Sequence, residues 1–301
     1  MRKTIIYTAA VAVLAVAPYS CTREEVLDSE SVVTLNEGVR TDLDRWLERN
    51  YVLPYNIEYV YKWDFNTVPF EFETTPVDYQ EAVVHSHLIK YLCFDCFAAV
   101  AGTDFVCRYM PKQVYVVNSP MSLAGANFSV LGSTDFGKRI LLSDINGFTK
   151  ALTTDLWLMK SSESAQQSFS EKVAKTTFHE LMHLLNYTVD MPVSYKEITP
   201  EYVFSDWSRY GAGDGFISQY SRYSEMEDIA EVFAYYLATP PRRWGERIAN
   251  EEKILRKLSL IRSYLEESFG VDIDALRDEY QNRLLKVCTG KVTYEMLTDL
   301  N

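Results

Sequence analysis

Six consecutive residues, Phe178-His179-Glu180-Leu181-Met182-His183, constrain this chain more than any other stretch, because they contain H-E-x-x-H. On a helix, positions i and i+4 project from one face, so the imidazoles of His179 and His183 can reach one ion at ~2.0–2.1 Å. Glu180 is displaced round the helix and can address a water at the metal rather than the metal itself. Zinc lowers the pKa of such a water toward ~7, and a neighbouring carboxylate base then completes the nucleophile. The chain has only four histidines in 301 residues, and half of them fall in this motif, which weighs against coincidence. A catalytic zinc keeps three protein ligands and an open position, so a second segment must deliver a third ligand.

The residues after the motif narrow the choice. A metzincin needs Gly and His at the positions held here by Asn186 and Val189, and no G-T-x-D run supplies an Asp. A glutamate from a second helix, the gluzincin arrangement, remains. Glu201 lies 18 residues past His183, but three residues rather than two separate it from Ser205-Asp206, and Pro200 precedes it. An acid there serves a helix start equally well. Glu227-Asp228-Ile229-Ala230-Glu231 is the stronger segment. Glu227 and Glu231 share one helix face while Ile229, Val232, Phe233 and Tyr236 can pack inward. One carboxylate can bind zinc while the other orients a histidine ligand. Glu227 is the expected ligand, with Glu201, Asp228 and Glu231 as the alternatives.

The amino terminus reads as an export signal. Arg2-Lys3 precedes an apolar run from Ile5 to Ala17, and about 13 residues are too few to cross a ~30 Å hydrocarbon core comfortably. Residues 1–20 are therefore expected to be a signal peptide. Cys21, directly after Ser20, resembles a bacterial lipobox cysteine, whose thiol is lipidated and becomes the new terminus. Residues 21–37 then form a tether, and 38–301 the folded domain. A formal charge of -12 repels phosphate backbones, so no nucleic acid is expected as partner. With 21 Tyr, 15 Phe and 5 Trp the chain has ample aromatic material for a core. Cys93, Cys96, Cys107 and Cys288 lack a second C-x-x-C pair at zinc-ribbon spacing, so buried free thiols are expected, with one or two disulfides as the alternative. His85 and His87, two apart on a helix, point in different directions and do not share a metal.

The pattern predicts an α+β fold: a sheet-rich part over about 51–150, catalytic helices over about 165–240 and further helices over about 241–301. Helices are expected over 42–50, stopped by Pro54-Tyr55-Asn56, and over 78–100. Others are expected from Ser168, as N-cap with Glu171 three residues on, to Asn186, over 225–237, on the Ile254, Leu258, Ile261, Leu265 stripe, and over 274–287. Strands are expected around Ile57–Trp63 and, in one sheet, at Val114–Val117 and Ile140–Leu142, with Gly132-Ser133 as a turn.

Tyr220-Ser221-Arg222 followed by Glu227-x-x-x-Glu231 is similar to the segment after H-E-x-x-H in the anthrax lethal factor protease family. That resemblance implies Glu227 as zinc ligand, Glu231 as its outer-shell partner, and Tyr220, seven residues before Glu227, as donor to the oxyanion. A wider resemblance is to the Bacteroidetes substrate import-associated zinc metallohydrolase lipoproteins, a zinc-binding metallopeptidase family. It rests on Pro54-Tyr55-Asn56-Ile57-Glu58, Tyr61-Lys62-Trp63-Asp64, Tyr109-Met110-Pro111-Lys112, the H-E-x-x-H motif, and Gly215-Phe216-Ile217-Ser218-x-Tyr220 with Glu227-Asp228-x-Ala230-Glu231. It implies a zincin-like fold, a Zn2+ cofactor, and an outer-membrane lipoprotein beside a TonB-dependent importer. Thr22-Arg23-Glu24-Glu25, just after Cys21, resembles the export signals of surface-exposed lipoproteins in that phylum, with the periplasmic leaflet as the alternative. The expected function is a zinc-dependent peptide hydrolase. A glycan- or peptide-binding accessory lipoprotein with a structural or vestigial zinc site is the competing class.

Overall fold

The computed structural model describes residues 39–64, 72–123, 129–135 and 138–301. The expected signal peptide, Cys21 and the tether lie outside the described residues. Thr41–Asn301 form one compact unit of mixed α+β architecture, as expected.

Helix α1, residues 42–55, starts at a reciprocal cap: Thr41 Oγ1 accepts from the Asp44 amide and Asp44 accepts from the Thr41 amide. Leu43, Trp46, Leu47 and Tyr51 are its buried stripe. The helix runs past its expected end at Asn50, through Pro54, and stops within the expected segment at Asn56, which turns left-handed at φ 54°. A widened turn at Glu48–Val52 loosens the hydrogen-bond ladder just where Pro54 removes a donor, so the proline is accommodated. Strand β1, Glu58–Val60, follows, and then β2, Phe72–Glu73.

Helix α2, Tyr79–Ala101, is capped by Asp78 and apolar enough in length and composition to cross a membrane, but it is largely buried in the protein. A helix apolar all round belongs in a core. His85 Nδ1 lies 2.9 Å from the Tyr59 hydroxyl, while His87 contacts the Asp299 carbonyl and stacks on Trp46. The two rings are thus separately engaged, as expected. Helix α3, Thr103–Tyr109, leads into β3, Gln113–Val116. Then come β4 (Met121–Leu123), β5 (Ser129–Val130), β6 (Gly132–Asp135) and β7 (Arg139–Leu142). One sheet has the order β1-β3-β7-β6, with β1, β3 and β7 parallel and β6 antiparallel at the edge. A small antiparallel sheet joins β2, β4 and β5. Gly132-Ser133, expected as a turn, is the start of the edge strand.

Short helices α4 (Phe148–Leu152) and α5 (Leu156–Ser161) precede α6, which runs unbroken over 163–188. Its cap is Ser162, which is extended and accepts from the Ala165 amide, not Ser168. Ser168 lies mid-helix, its hydroxyl donating back to the Ser164 carbonyl. Ser168-x-x-Glu171 therefore imitates a capping box inside a continuous helix. After α7 (Val193–Lys196) come α8 (Glu225–Ala238), α9 (Pro241–Ile248), α10 (Glu252–Phe269) and α11 (Ile273–Cys288), of which α8 and α11 pack on the motif helix and α10 packs on α8 and α11. Phe178 meets Phe233 of α8 and Tyr280 of α11 edge-on, at 6.3 and 5.0 Å between ring centres. Cys93, Cys96, Cys107 and Cys288 are free, three of them buried, and burial pushes the Cys96 and Cys288 thiols up to about 12.

The fold makes an acid-stability prediction. Burial holds the His85 imidazole down at about 3, against an ordinary value of 6.5. Below the ordinary value the unfolded chain binds a proton that the folded chain refuses. Stability contributed here is therefore full above 6.5 and lost as pH falls toward 3, at up to ~1.4 kcal/mol per pH unit. Urea unfolding at about pH 7, 5.5 and 4.5 should show a shallower acid slope in His85→Leu than in the parent. Parallel slopes would contradict a proton-refusing His85.

Candidate metal centre

Helices α6 and α8 pack antiparallel, and the pairing of residues shows it: Glu227 faces His183 and His179, whereas Glu231 faces His179 and Lys175. Ser224 caps α8 by accepting from the Glu227 amide, so the helix begins just before Glu227 and Glu231. His179 Nε2 lies 2.9 Å from Glu227 Oε2, His183 Nε2 lies 3.2 Å from the same oxygen, and the two nitrogens are 3.1 Å apart. These three atoms form the possible metal-holding group among the described residues. Ligands at zinc distances sit at tetrahedron edges of roughly 3.3 Å, so the donors lie near the required spacing. The donor chemistry fits as well: two ring nitrogens and a carboxylate oxygen converging on one point call for a cation between them.

On its other side, His179 Nδ1 lies 2.9 Å from Glu231 Oε1. Glu231 is itself anchored, accepting from Ser218 Oγ at 2.6 Å and from Lys175 Nζ at 3.0 Å. Burial opposes charge on His179, but the carboxylates of Glu227 and Glu231 outweigh it and hold the imidazole up at about 10. Burial likewise opposes charge on Glu227, yet its hydrogen bonds to the two imidazoles draw it down to about 2. Glu231 is held well below the usual carboxylate range by Lys175 and His179 against the effect of burial. The pocket therefore favours positive charge at His179 and negative charge at Glu227 and Glu231.

Glu180 is buried against the edge strand, where Thr134 donates its hydroxyl to Glu180 Oε2. Gly132, two residues earlier on the same strand face, makes this approach feasible. A Cβ there would lie 2.5 Å from Glu180 Oε1 and 2.6 Å from Thr176 Cγ2. Tyr220 sits on the short helical turn Tyr220–Arg222, its ring 6.0 Å from that of His179. Burial first, then the carboxylates of Glu227, Glu180 and Glu231, push its hydroxyl far above the usual range, so it keeps its proton at neutral pH.

The structure thus gathers His179, His183, Glu180, Glu227, Glu231 and Tyr220 in one place. Glu201 is exposed and outside the group. Asp228 turns away: its Oδ2 takes Lys257 Nζ at 2.5 Å and the Tyr202 hydroxyl at 3.0 Å, with both members of the ion pair fully buried. Sequence reasoning missed Thr134, Gly132 and Lys175. Thr134 and Lys175 leave no local signal. A lone glycine in an alternating segment was the available hint for Gly132.

A family model described as "Putative zinc-binding metallo-peptidase" matches residues 36–274. The crystal structure of a protein with the same description from Bacteroides caccae superposes with a TM-score of 0.63 at 24% identity, over 85% of this chain and 97% of that one. That likeness establishes a shared fold. No curated protein matches the chain.

The closeness of strand and helix is testable. Gly132→Ala should cost ~1–3 kcal/mol through overpacking, read as a lowered Tm. Gly211→Ala, where an added Cβ meets nothing within 4 Å, should stay within about 0.5 kcal/mol of the parent.

Proposed function

Since the chain belongs to the family described as "Putative zinc-binding metallo-peptidase", we propose that it is a single-zinc peptide hydrolase of gluzincin type. The observation that supports this most directly is the convergence of His179 Nε2, His183 Nε2 and Glu227 Oε2 beside a buried glutamate at a sheet edge. These three side chains would hold zinc, which when bound acts as a Lewis acid on a carbonyl and lowers the pKa of water toward ~7. Glu180 takes the proton of the attacking water and returns it to the leaving amine. Thr134 fixes one oxygen of that carboxylate. Glu231 accepts from His179 Nδ1–H, which sets the tautomer and presents Nε2 to the ion. Tyr220, protonated at neutral pH, donates to the oxyanion that forms on the scissile carbonyl. A peptide suits this site because β6 is the sheet's edge strand, and an edge strand offers main-chain groups to an extended chain.

The same reading includes lipidation at Cys21, anchorage in the outer membrane with the domain at the cell surface, and association with a TonB-dependent nutrient importer. It is supported by the Arg2-Lys3 and Ile5–Ala17 pattern before Cys21 and by the family resemblance.

Elemental analysis of residues 22–301 tests the centre. About one zinc per chain is expected in the parent, lost in Glu227→Ala and kept in Glu201→Ala. A parent that takes up no zinc would overturn the hydrolase. Glu180→Gln should keep its zinc while its kcat on a peptide library falls at least ~100-fold, and undiminished turnover would remove Glu180 from the mechanism.

A further inference from the structure

A row of aromatic rings leads away from the metal centre. The Tyr220 ring, beside His179, is stacked by Tyr223 at 5.8 Å and met edge-on by Trp207 at 5.1 Å. Tyr223 in turn packs against Phe204 at 4.5 Å. Phe204 is 68% exposed, although it is a large apolar ring in contact with another. The backbone beneath the row is fastened. The Val203 amide donates to the Arg222 carbonyl at 2.7 Å, and the Arg222 guanidinium donates to the Gly211 and Gly213 carbonyls while covering the Phe216 ring. Buried Lys257 donates to the Gly215 carbonyl from below. An exposed ring on a tied-down segment, continuous with the catalytic tyrosine, is pre-organised to receive something flat and apolar.

We propose that Phe204 and Tyr223 form a specificity subsite that takes an aromatic or large aliphatic side chain of the peptide substrate, on the Tyr220 side of the scissile bond. This rests on the peptidase reading above and adds to it a substrate class. The three ring-to-ring steps from His179 to Phe204 span 4.5–6.0 Å each, so the favoured side chain lies within about five residues of the cleaved bond at ~3.3 Å per extended residue. A peptide side chain is the occupant this row is matched to, because its exposed outermost ring is a phenylalanine, which offers an apolar face and no hydrogen-bonding group of its own.

The experiment immobilises the zinc-loaded Glu180→Gln chain, which binds without turnover, and exposes it to an equimolar library of end-blocked octapeptides read by mass spectrometry. The expected result is enrichment of Phe, Tyr, Leu or Met over Gly and Ser at one peptide position, about tenfold. The enrichment should vanish in Glu180→Gln/Phe204→Ser and persist in Glu180→Gln/Phe204→Tyr, with zinc content equal in all three. Peptides retained without that preference, or with a preference that Phe204→Ser leaves unchanged, overturn the subsite and leave the peptidase standing. Retention of neutral oligosaccharides in place of peptides, or a Phe204→Ser effect confined to self-association on sedimentation, overturns it too. Should no library peptide be retained by Glu180→Gln or cleaved by the zinc-loaded parent, the peptidase reading falls and the subsite with it.

Discussion

The centre of this protein is organised by an excess of negative charge in a dry place. Three carboxylates, those of Glu180, Glu227 and Glu231, converge where helix 163–188, helix 225–238 and the edge strand meet, and one ammonium, that of Lys175, answers them. Removing ionised groups from water is costly unless opposite charge and hydrogen bonds replace the lost solvation. Ser218, Thr134 and Lys175 supply part of that replacement, and the His179 imidazole, 2.9 Å from both Glu227 and Glu231, supplies more. The donor set of two ring nitrogens and a carboxylate oxygen would suit a divalent cation, which could engage all three at once. The pairing of carboxylates and imidazoles thus sets both how the two helices must align and what they can bind.

The remaining architecture can be understood as support for that alignment. Phe178, immediately before His179, is locked between Phe233 and Tyr280, so the motif helix cannot rotate without disrupting two neighbouring helices. Helix 252–269 reaches under the site through Lys257, which joins the Gly213–Phe216 loop to Asp228 of the Glu227 helix. A fully buried ion pair is a weak source of net stability. Here it fixes the relative position of the segment bearing Tyr220 and the helix bearing Glu227. Asp228 therefore contributes to the centre by orientation, one residue away from Glu227.

Much of this was legible before any coordinates, and for a physical reason. Helical periodicity is a local property, so the i, i+4 spacings of His179 with His183 and of Glu227 with Glu231 already implied two faces that could meet. Element types followed likewise for helices 79–101, 225–238, 252–269 and 273–288. What stayed hidden depends on contacts between distant segments. Thr134 is one threonine among many until β6 is laid over the motif helix, and Lys175 is one lysine among many until helix 225–238 arrives. Ser168 misled because a serine three residues before a glutamate is a start signal only where the preceding backbone is extended, as it is at Ser162. The first helix outran its expected end at Asn50 because the widened turn before Pro54 removes the usual penalty, and Asn56 of the expected stop ends it.

The four cysteines have a consequence of a different kind. Cys93, Cys96 and Cys288 are sealed in the interior as protonated thiols, and Cys107 is half-covered and unpaired. Since thiolates, not thiols, undergo exchange and oxidation, the three buried side chains are poor redox reagents while the fold persists. The four described cysteines form no disulfide with one another. Oxidation or exchange at Cys93, Cys96 and Cys288 therefore waits on opening of the fold, so their reaction with a thiol reagent reports how often the interior opens.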